Sequence, residues 1–393
     1  MNKKRIWAIL VLVVILITSA FCIYKKYNEI PSEYLKFNEY GITYELNENY
    51  DNYGNKYFYN QLDDTEKIYY QCLYNTSKNL DVEFEINCEF NEAKFSRAWQ
   101  AFQSDFSEFY WWRNWQQEYR YLKNSMSKQF PYSFIIATGY DKAGAADAYP
   151  IIEEKAKEII NEIKTNDDYE TIKNLHDYIV LNTKYDLQSA SNQNIKSVFL
   201  FNESVCAGYA QAFQYISNMM GYECYSIIGK AMPYDDKSLH EWNIIHLNGN
   251  WYWIDTTWDE LYDENGEEIG VRNDYLFIDD EILFIDHKPD SEFDLPLCED
   301  KSLLYLNDAG AYFDAYEESE IENKMREWIS KGYHNFHLRF LSKDDAQKFY
   351  DYIENGKFFS FYERYISRYY DLSINYGYSE DSHIVTLNWK DLY

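Results

Sequence analysis

Asn248-Gly249 stands between two runs of strand-forming residues, 240–247 and 250–255, and constrains the fold more than any other pair in the chain. Asn-Gly is the strongest two-residue hairpin signal, because both turn positions call for positive φ. Such a turn also fixes the register: Leu247 faces Asn250, Trp242 faces Asp255 and His240 faces Thr257. His240 and Asp255 then lie on one sheet face as diagonal neighbours, roughly 7–8 Å apart at Cα. Their side chains can close that gap. A three-residue loop would flip the relative parity of the strands and part the two residues. His246 falls on the same face but far from the open end of the hairpin, and is read as structural.

A third polar residue sits upstream. The stretch Ser204-Val205-Cys206-Ala207-Gly208-Tyr209-Ala210 leads into a helical pattern with Ala210, Phe213, Ile216 and Met220 inward and Gly221 as its stop. With Ser204 as the expected N-cap, Cys206 occupies the first turn. The partial positive charge there favours a thiolate, and free backbone N–H groups can hold an oxyanion. A buried, inert cysteine is the competing reading. A thiol, an imidazole and a carboxylate that orients the imidazole make up the nucleophile, base and orienter of acyl transfer. Cys206, His240 and Asp255 are therefore the candidate catalytic residues, and this chemistry calls for no cofactor and no metal.

Three boxes in order carry a resemblance. Cys206-Ala207-Gly208-Tyr209-Ala210 fits C-x-G-Y-A, His240-Glu241-Trp242-Asn243 fits H-x-W-N, and Trp251-Tyr252-Trp253-Ile254-Asp255-Thr256-Thr257-Trp258-Asp259 fits W-Y-x-x-D-x-T-W-D. Together they resemble the bacterial transglutaminase-like superfamily over about residues 150–285. Tyr185-Asp186 and the glycine-bounded stretch 221–229 resemble that family's intervening features. The resemblance implies an α+β, papain-like core in which a nucleophile helix packs on an antiparallel sheet carrying His and Asp. It also implies catalytic roles for Cys206, His240 and Asp255. Ala207 departs from the larger polar residue often found after the nucleophile, which bears on substrate choice.

Charge narrows the partners. The chain holds 37 Lys and Arg against 66 Asp and Glu, a net charge of −29, which argues against nucleic acid. The same balance argues against electrostatic adhesion to anionic lipid or wall polymer. Aromatic residues make up 20%, too much apolar surface for a disordered chain. Cys72, Cys88, Cys206, Cys224 and Cys298 are irregularly spaced and read as free thiols. The acidic stretch 259–268 lacks EF-hand spacing and reads as a solvated loop. His334 and His337, three apart in a predicted strand, point to opposite faces and share no metal.

Four segments emerge. Residues 1–30 contain an apolar run, 6–23, that as a helix is about 27 Å long, close to a bilayer core. Lys3, Lys4 and Arg5 precede it, which puts the N-terminus in the cytoplasm and the remainder outside as a single-pass cell-membrane protein. A cleaved signal and a secreted product are the alternative. Residues 31–148 form a Tyr- and Trp-rich α+β region. Strands are predicted at 43–46 and 80–90, and helices opening at Asp63 with its capping partner Glu66 and running through Phe95, Ala98, Trp99 and Phe102. Phe109-Tyr110-Trp111-Trp112 is read as core, with a sugar-stacking platform as the alternative. Residues 149–298 form the catalytic domain, with Pro150 in the first turn of a helix and Asp167 capping the next. Residues 299–393 form a small α+β module: a helix ending at Gly332, a strand at 335–340, a helix from Ser342 to Asn355-Gly356, and strands at 372–376 and 383–389.

The expected function is an extracellular cysteine enzyme acting on amide bonds of protein or peptide substrates of the cell envelope. Water as acceptor gives hydrolysis, slightly favoured, and an amine gives transfer. The rival is a surface binding or structural protein that keeps the fold without turnover.

Overall fold

The structure, a computed structural model, describes residues 56–86, 91–112, 118–122, 133–137, 142–234, 239–262, 268–304, 310–333, 335–358, 360–361 and 372–391. The chain parts into two compact units, Met1–Gln103 with Asn114–Ala143, and Ser104–Arg113 with Gly144–Tyr393. The apolar run 6–23, the strand expected at 43–46, Cys88 and His334 lie outside the described residues. Among the described residues no helix is long and apolar enough to cross a membrane.

The first unit is built on helices α1 (Asp64–Lys78) and α2 (Glu92–Asp105) and strands β1 (Glu83–Ile86), β2 (Glu118–Leu122) and β3 (Ser133–Ala137). The strands form an antiparallel sheet in the order β1-β3-β2. The expected capping box opens α1: Glu66 N–H donates to Asp63 Oδ1 and Asp63 N–H to Glu66 Oε2, both at 2.9 Å. Phe95, Ala98, Trp99 and Phe102 are buried along α2 at the predicted spacing.

The second unit opens with helices α3 (Lys142–Ile163) and α4 (Asp168–Asn182), then β4 (Lys184–Tyr185), α5 (Ile195–Phe201), β5 (Glu203–Ser204) and α6 (Cys206–Met220). Pro150 is not in the first turn of its helix but inside α3. The Ala-rich stretch ahead of it is a strong helix former, and its propensity outweighs the one N–H that proline withholds. Asp167 caps α4 as expected, accepting from Glu170 N–H. Phe109, Tyr110, Trp111 and Trp112 are all at most 5% exposed. Their rings pack into the core and cannot present a stacking face to a sugar.

Strands β6 (Glu223–Ala231), β7 (Leu239–Leu247), β8 (Asn250–Ile254), β11 (Leu276–Ile278) and β12 (His287–Pro289) make one antiparallel sheet ordered β11-β8-β7-β6-β12, with β9 (Glu260–Tyr262), β10 (Glu268–Val271) and α7 (Asp280–Leu283) in its connections. The hairpin register is the predicted one as far as β8 runs, with Leu247 paired to Asn250, His246 to Trp251 and Asn243 to Ile254. The expected pairs of Trp242 with Asp255 and His240 with Thr257 do not form, because the chain leaves the strand after Ile254 and Asp255 N–H bonds to Tyr275 O. Asn248 and Gly249 both have positive φ, 54° and 87°, as that turn demands. Helix α6 is buried from Ala207 through Ser217 and ends on Gly221 at φ 95°.

The chain closes with β13 (Gly310–Phe313), α8 (Glu318–Ser330), β14 (Asn335–Phe340), α9 (Lys343–Glu354), β15 (Leu372–Ser379) and β16 (Ile384–Asp391), a four-stranded sheet ordered β13-β14-β16-β15. Ser342 caps α9, as its spacing to Asp345 predicts. Strand β14 alternates: Phe336, Leu338 and Phe340 join Met325, Trp328, Phe349 and Ile353 in one apolar core. His337 and Arg339 point the other way, as a period of two requires.

Candidate active site

Helix α6 carries Cys206 at its first residue. The expected cap is not the observed one: Val205, extended at φ −114°, is the N-cap and offers no side-chain oxygen. Ser204 instead bonds sideways to Ser197 Oγ at 2.6 Å and to Asn192 O at 3.1 Å. The first turn of α6 is therefore left without a side-chain cap, which keeps backbone N–H groups for another acceptor. The hydroxyl oxygen of Tyr185, on β4, takes the Cys206 N–H. Burial, with Cys206 nearby, pushes the Tyr185 phenol up to about 12, so it stays protonated.

The H-x-W-N box fastens the sheet to the helix. Asn243 Nδ2 donates to Ala210 O at 2.8 Å, and Gln211 Nε2 donates to both carboxylate oxygens of Glu241 at 3.0 and 3.1 Å. These bonds fix β7 against α6, which holds His240 over the helix start. His240 Nε2 lies 2.6 Å from Asp255 Oδ2, and Cys206 stands beside its ring. With Nε2 engaged by the carboxylate, Nδ1 is the nitrogen left for the thiol. Asp255, the first residue past β8, accepts from four donors: Thr257 N–H and Trp258 N–H on Oδ1, His240 Nε2 and His287 Nε2 on Oδ2.

The titration behaviour follows from this wiring. Burial alone would lower the His240 pKa, but the charge and hydrogen bond of Asp255, with Cys206 beside it, hold it at about 10. Burial raises the Asp255 pKa, yet His240 and His287 outweigh it and hold the carboxyl well below the usual range. Asp255 is thus an acceptor-only carboxylate that fixes the imidazole by its Nε2–H.

The structure therefore brings Cys206, His240 and Asp255 together. His246 lies elsewhere, its ring tilted against Trp251 and 3.9 Å from Glu223. His287 is the neighbour that sequence reading missed. Its ring is fully buried, 3.1 Å from Asp255 by Nε2 and 2.6 Å from Asp286 by Nδ1. The adjacent pair Asp286-His287 was its one sequence signal. His240, Asp255 and His287 have donor atoms all within 4.8 Å of one another, and among the described residues they are the set able to hold a cation. A cation would need the Nε2 lone pairs, whereas the observed bonds need Nε2–H donors, so the two arrangements exclude each other.

The acidic stretch after the third box is not a solvated loop at its start. Asp259 is fully buried, accepting from Asp274 N–H and Tyr275 N–H, and lies 3.0 Å from His176 Nε2. Glu260 is buried and accepts from the Tyr209 hydroxyl. Burial lowers the His176 pKa, but Asp177 and Asp259 on its two nitrogens raise it to about 9. A pKa raised on folding gives stability that is complete below the unfolded value of about 6.5 and is lost as pH rises through the folded one. The melting temperature should accordingly fall between pH 7 and about 9.5, and fall less in His176→Gln. Parallel melting curves for the two proteins would contradict this.

Cys224 and Cys298 are buried free thiols, as expected, and Cys72 is buried as well. Burial pushes Cys224 and Cys298 far up, and both are inert at neutral pH.

Residues 156–256 match the transglutaminase-like superfamily, so the core of this α+β chain is transglutaminase-like. Kyphoscoliosis peptidase of Mus musculus is 22% identical over 203 residues, 47% of this chain and 30% of that protein. The Homo sapiens protein of the same name is 24% identical over 189 residues, 44% of this chain and 28% of that protein. This chain thus spans less than a third of the length of either relative. Among solved structures, a TGase crystal structure is 13% identical over 44% of this chain and 50% of that one, at a TM-score of 0.23.

Proposed function

We propose that the chain is a cysteine-dependent acyl-transfer enzyme acting on amide bonds of protein or peptide substrates. The observation that carries this is the His240 ring, 2.6 Å from the Asp255 carboxylate and beside Cys206 at the start of α6. Cys206 Sγ attacks the amide carbon with its proton already on His240, whose raised pKa keeps the imidazole protonated at neutral pH. The tetrahedral intermediate collapses as His240 returns the proton to the leaving amine, and a thioester on Cys206 remains. An acceptor, deprotonated by His240, releases the acyl group. The developing oxyanion would take the Cys206 N–H now held by Tyr185, which must swing aside or donate its own O–H.

Hydrolysis is the favoured outcome, because transfer needs additional exclusion of water. The peptidase names of the two relatives support the same choice. The run 6–23 as a single-pass anchor, with the enzyme in the cell envelope, completes the reading and is supported by the basic residues before it.

The test presents a denatured protein together with a dansylated primary amine. New amino termini or released ammonia mark hydrolysis, and fluorescent protein marks transfer. The absence of both, with Cys206 accessible, would favour a binding protein that has kept the fold.

A further inference from the structure

The C-terminal module reaches the candidate active site through one side chain. Arg339, on β14, is 5% exposed although arginine is seldom buried unless it is paired. It points away from the module's own apolar core. Its Nη2 donates to Asp286 Oδ2 at 2.8 Å, Nη1 to Asp274 O at 2.9 Å and Nε to Ser382 O at 3.2 Å. The guanidinium also lies 4.3 Å above the ring of Tyr275, whose hydroxyl donates to the same Asp286 oxygen at 2.5 Å. The other oxygen of Asp286 meets His287 Nδ1 at 2.6 Å, and His287 Nε2 meets Asp255 at 3.1 Å. Every member of this chain is buried, so no water can substitute for a lost partner.

We propose that His287 is a positioning residue for Asp255, held in its orientation by Asp286 and Arg339, so that the C-terminal module completes the active site. Without Asp286 on Nδ1, the His287 ring loses one of the two hydrogen bonds that fix its plane, and when it turns Asp255 loses a donor. Asp255 Oδ2 then faces His240 alone, and the imidazole above Cys206 is less firmly set. Arginine suits this place, because its planar fork serves three acceptors in different directions while stacking on Tyr275. Indole and imidazole rings fill the surroundings: His287 lies 4.5 Å from the Trp258 ring and 5.0 Å from Trp242. Rotation of His287 is thus opposed by packing as well as by hydrogen bonds.

The inference rests on reading Cys206 as a nucleophile activated by His240, and the experiment separates the two. Iodoacetamide alkylation of Cys206 at pH 7 is followed in the full chain, together with the far-downfield proton resonance expected of the short His240–Asp255 bond. Wild type, His240→Ala, His287→Gln, Asp286→Asn, Arg339→Met and Arg339→Lys are compared, each with its melting temperature. The expected result is an alkylation rate about tenfold lower in His287→Gln, Asp286→Asn and Arg339→Met, the scale on which partners behind a functional histidine act. The downfield resonance should shift or broaden in the same three, and Arg339→Lys should recover part of both signals. Asp286→Asn is close to isosteric and decides the matter if Arg339→Met does not fold. Wild-type rates and resonance in folded Asp286→Asn and His287→Gln would overturn the inference alone. A wild-type rate no higher than that of His240→Ala would instead overturn the reading beneath it.

Discussion

Replacing Cys206 by alanine should lower amide turnover at least about ten-thousand-fold, the loss seen when a nucleophile is removed from a cooperating triad. The loss should fall on kcat, because the sulfur carries the acyl group through the chemistry and contributes little to substrate binding. Stability should hardly change. Cys206 is only partly buried, at the open end of α6. Its removal should cost no more than about 0.5 kcal/mol. The protein-and-amine assay reads the first effect and a urea melt the second. Turnover persisting in folded Cys206→Ala would place the chemistry elsewhere.

Gly229→Val should be the most damaging single change to the sheet that carries the site. Gly229 pairs with His240 on one side and with Pro289 on the other. A Cβ built there would stand 2.3 Å from Lys288 O, 2.5 Å from the Trp242 ring and 2.9 Å from Pro289 Cα. Two of these are backbone atoms, and Trp242 is fully buried, so none can give way cheaply. Overpacking of this kind costs about 1–3 kcal/mol, and more where backbone must move. The displaced element is β12, which begins at His287, so activity should fall even in the fraction that stays folded. Ile228→Val, at a neighbouring site 45% exposed, is the control and should stay within about 0.5 kcal/mol of wild type. A Gly229→Val protein with wild-type urea midpoint would contradict the close approach of β6 and β12.

The hairpin register, the C-cap at Gly221, the ends of β14 and α9 and the meeting of Cys206, His240 and Asp255 were legible in the sequence. Each rests on a local rule that tertiary packing does not contradict: the Asn-Gly turn, a glycine stop, a Ser–Asp cap, a period of two. Three readings failed where distant partners decided. Ser204 has the chemistry of an N-cap, but β5 turns its hydroxyl toward Ser197 and Asn192. Pro150 follows an alanine-rich turn strong enough to begin the helix before it. Asp259 and Glu260 look like the start of an acidic surface loop, yet His176, some eighty residues earlier, and Tyr209 draw them inside. The Arg339–Asp286–His287 chain was hidden for the same reason. Arg339 stands 53 residues from the adjacent pair Asp286-His287, and only the placement of β14 and β12 makes an arginine in an apolar strand informative.

The central claim is that His240 activates Cys206. The rate at which iodoacetamide alkylates Cys206 at pH 7, compared between wild type and His240→Ala, tests it most directly. The same thiol is compared in both proteins, so accessibility does not confound the result as it would against the buried Cys298. Peptide mass spectrometry assigns the label to Cys206, and the melting temperature certifies the fold. The wild-type rate should exceed that of His240→Ala by at least about tenfold, with Asp255→Asn between the two. Equal rates in all three folded proteins would contradict the account and leave Cys206 an ordinary thiol at the start of a helix.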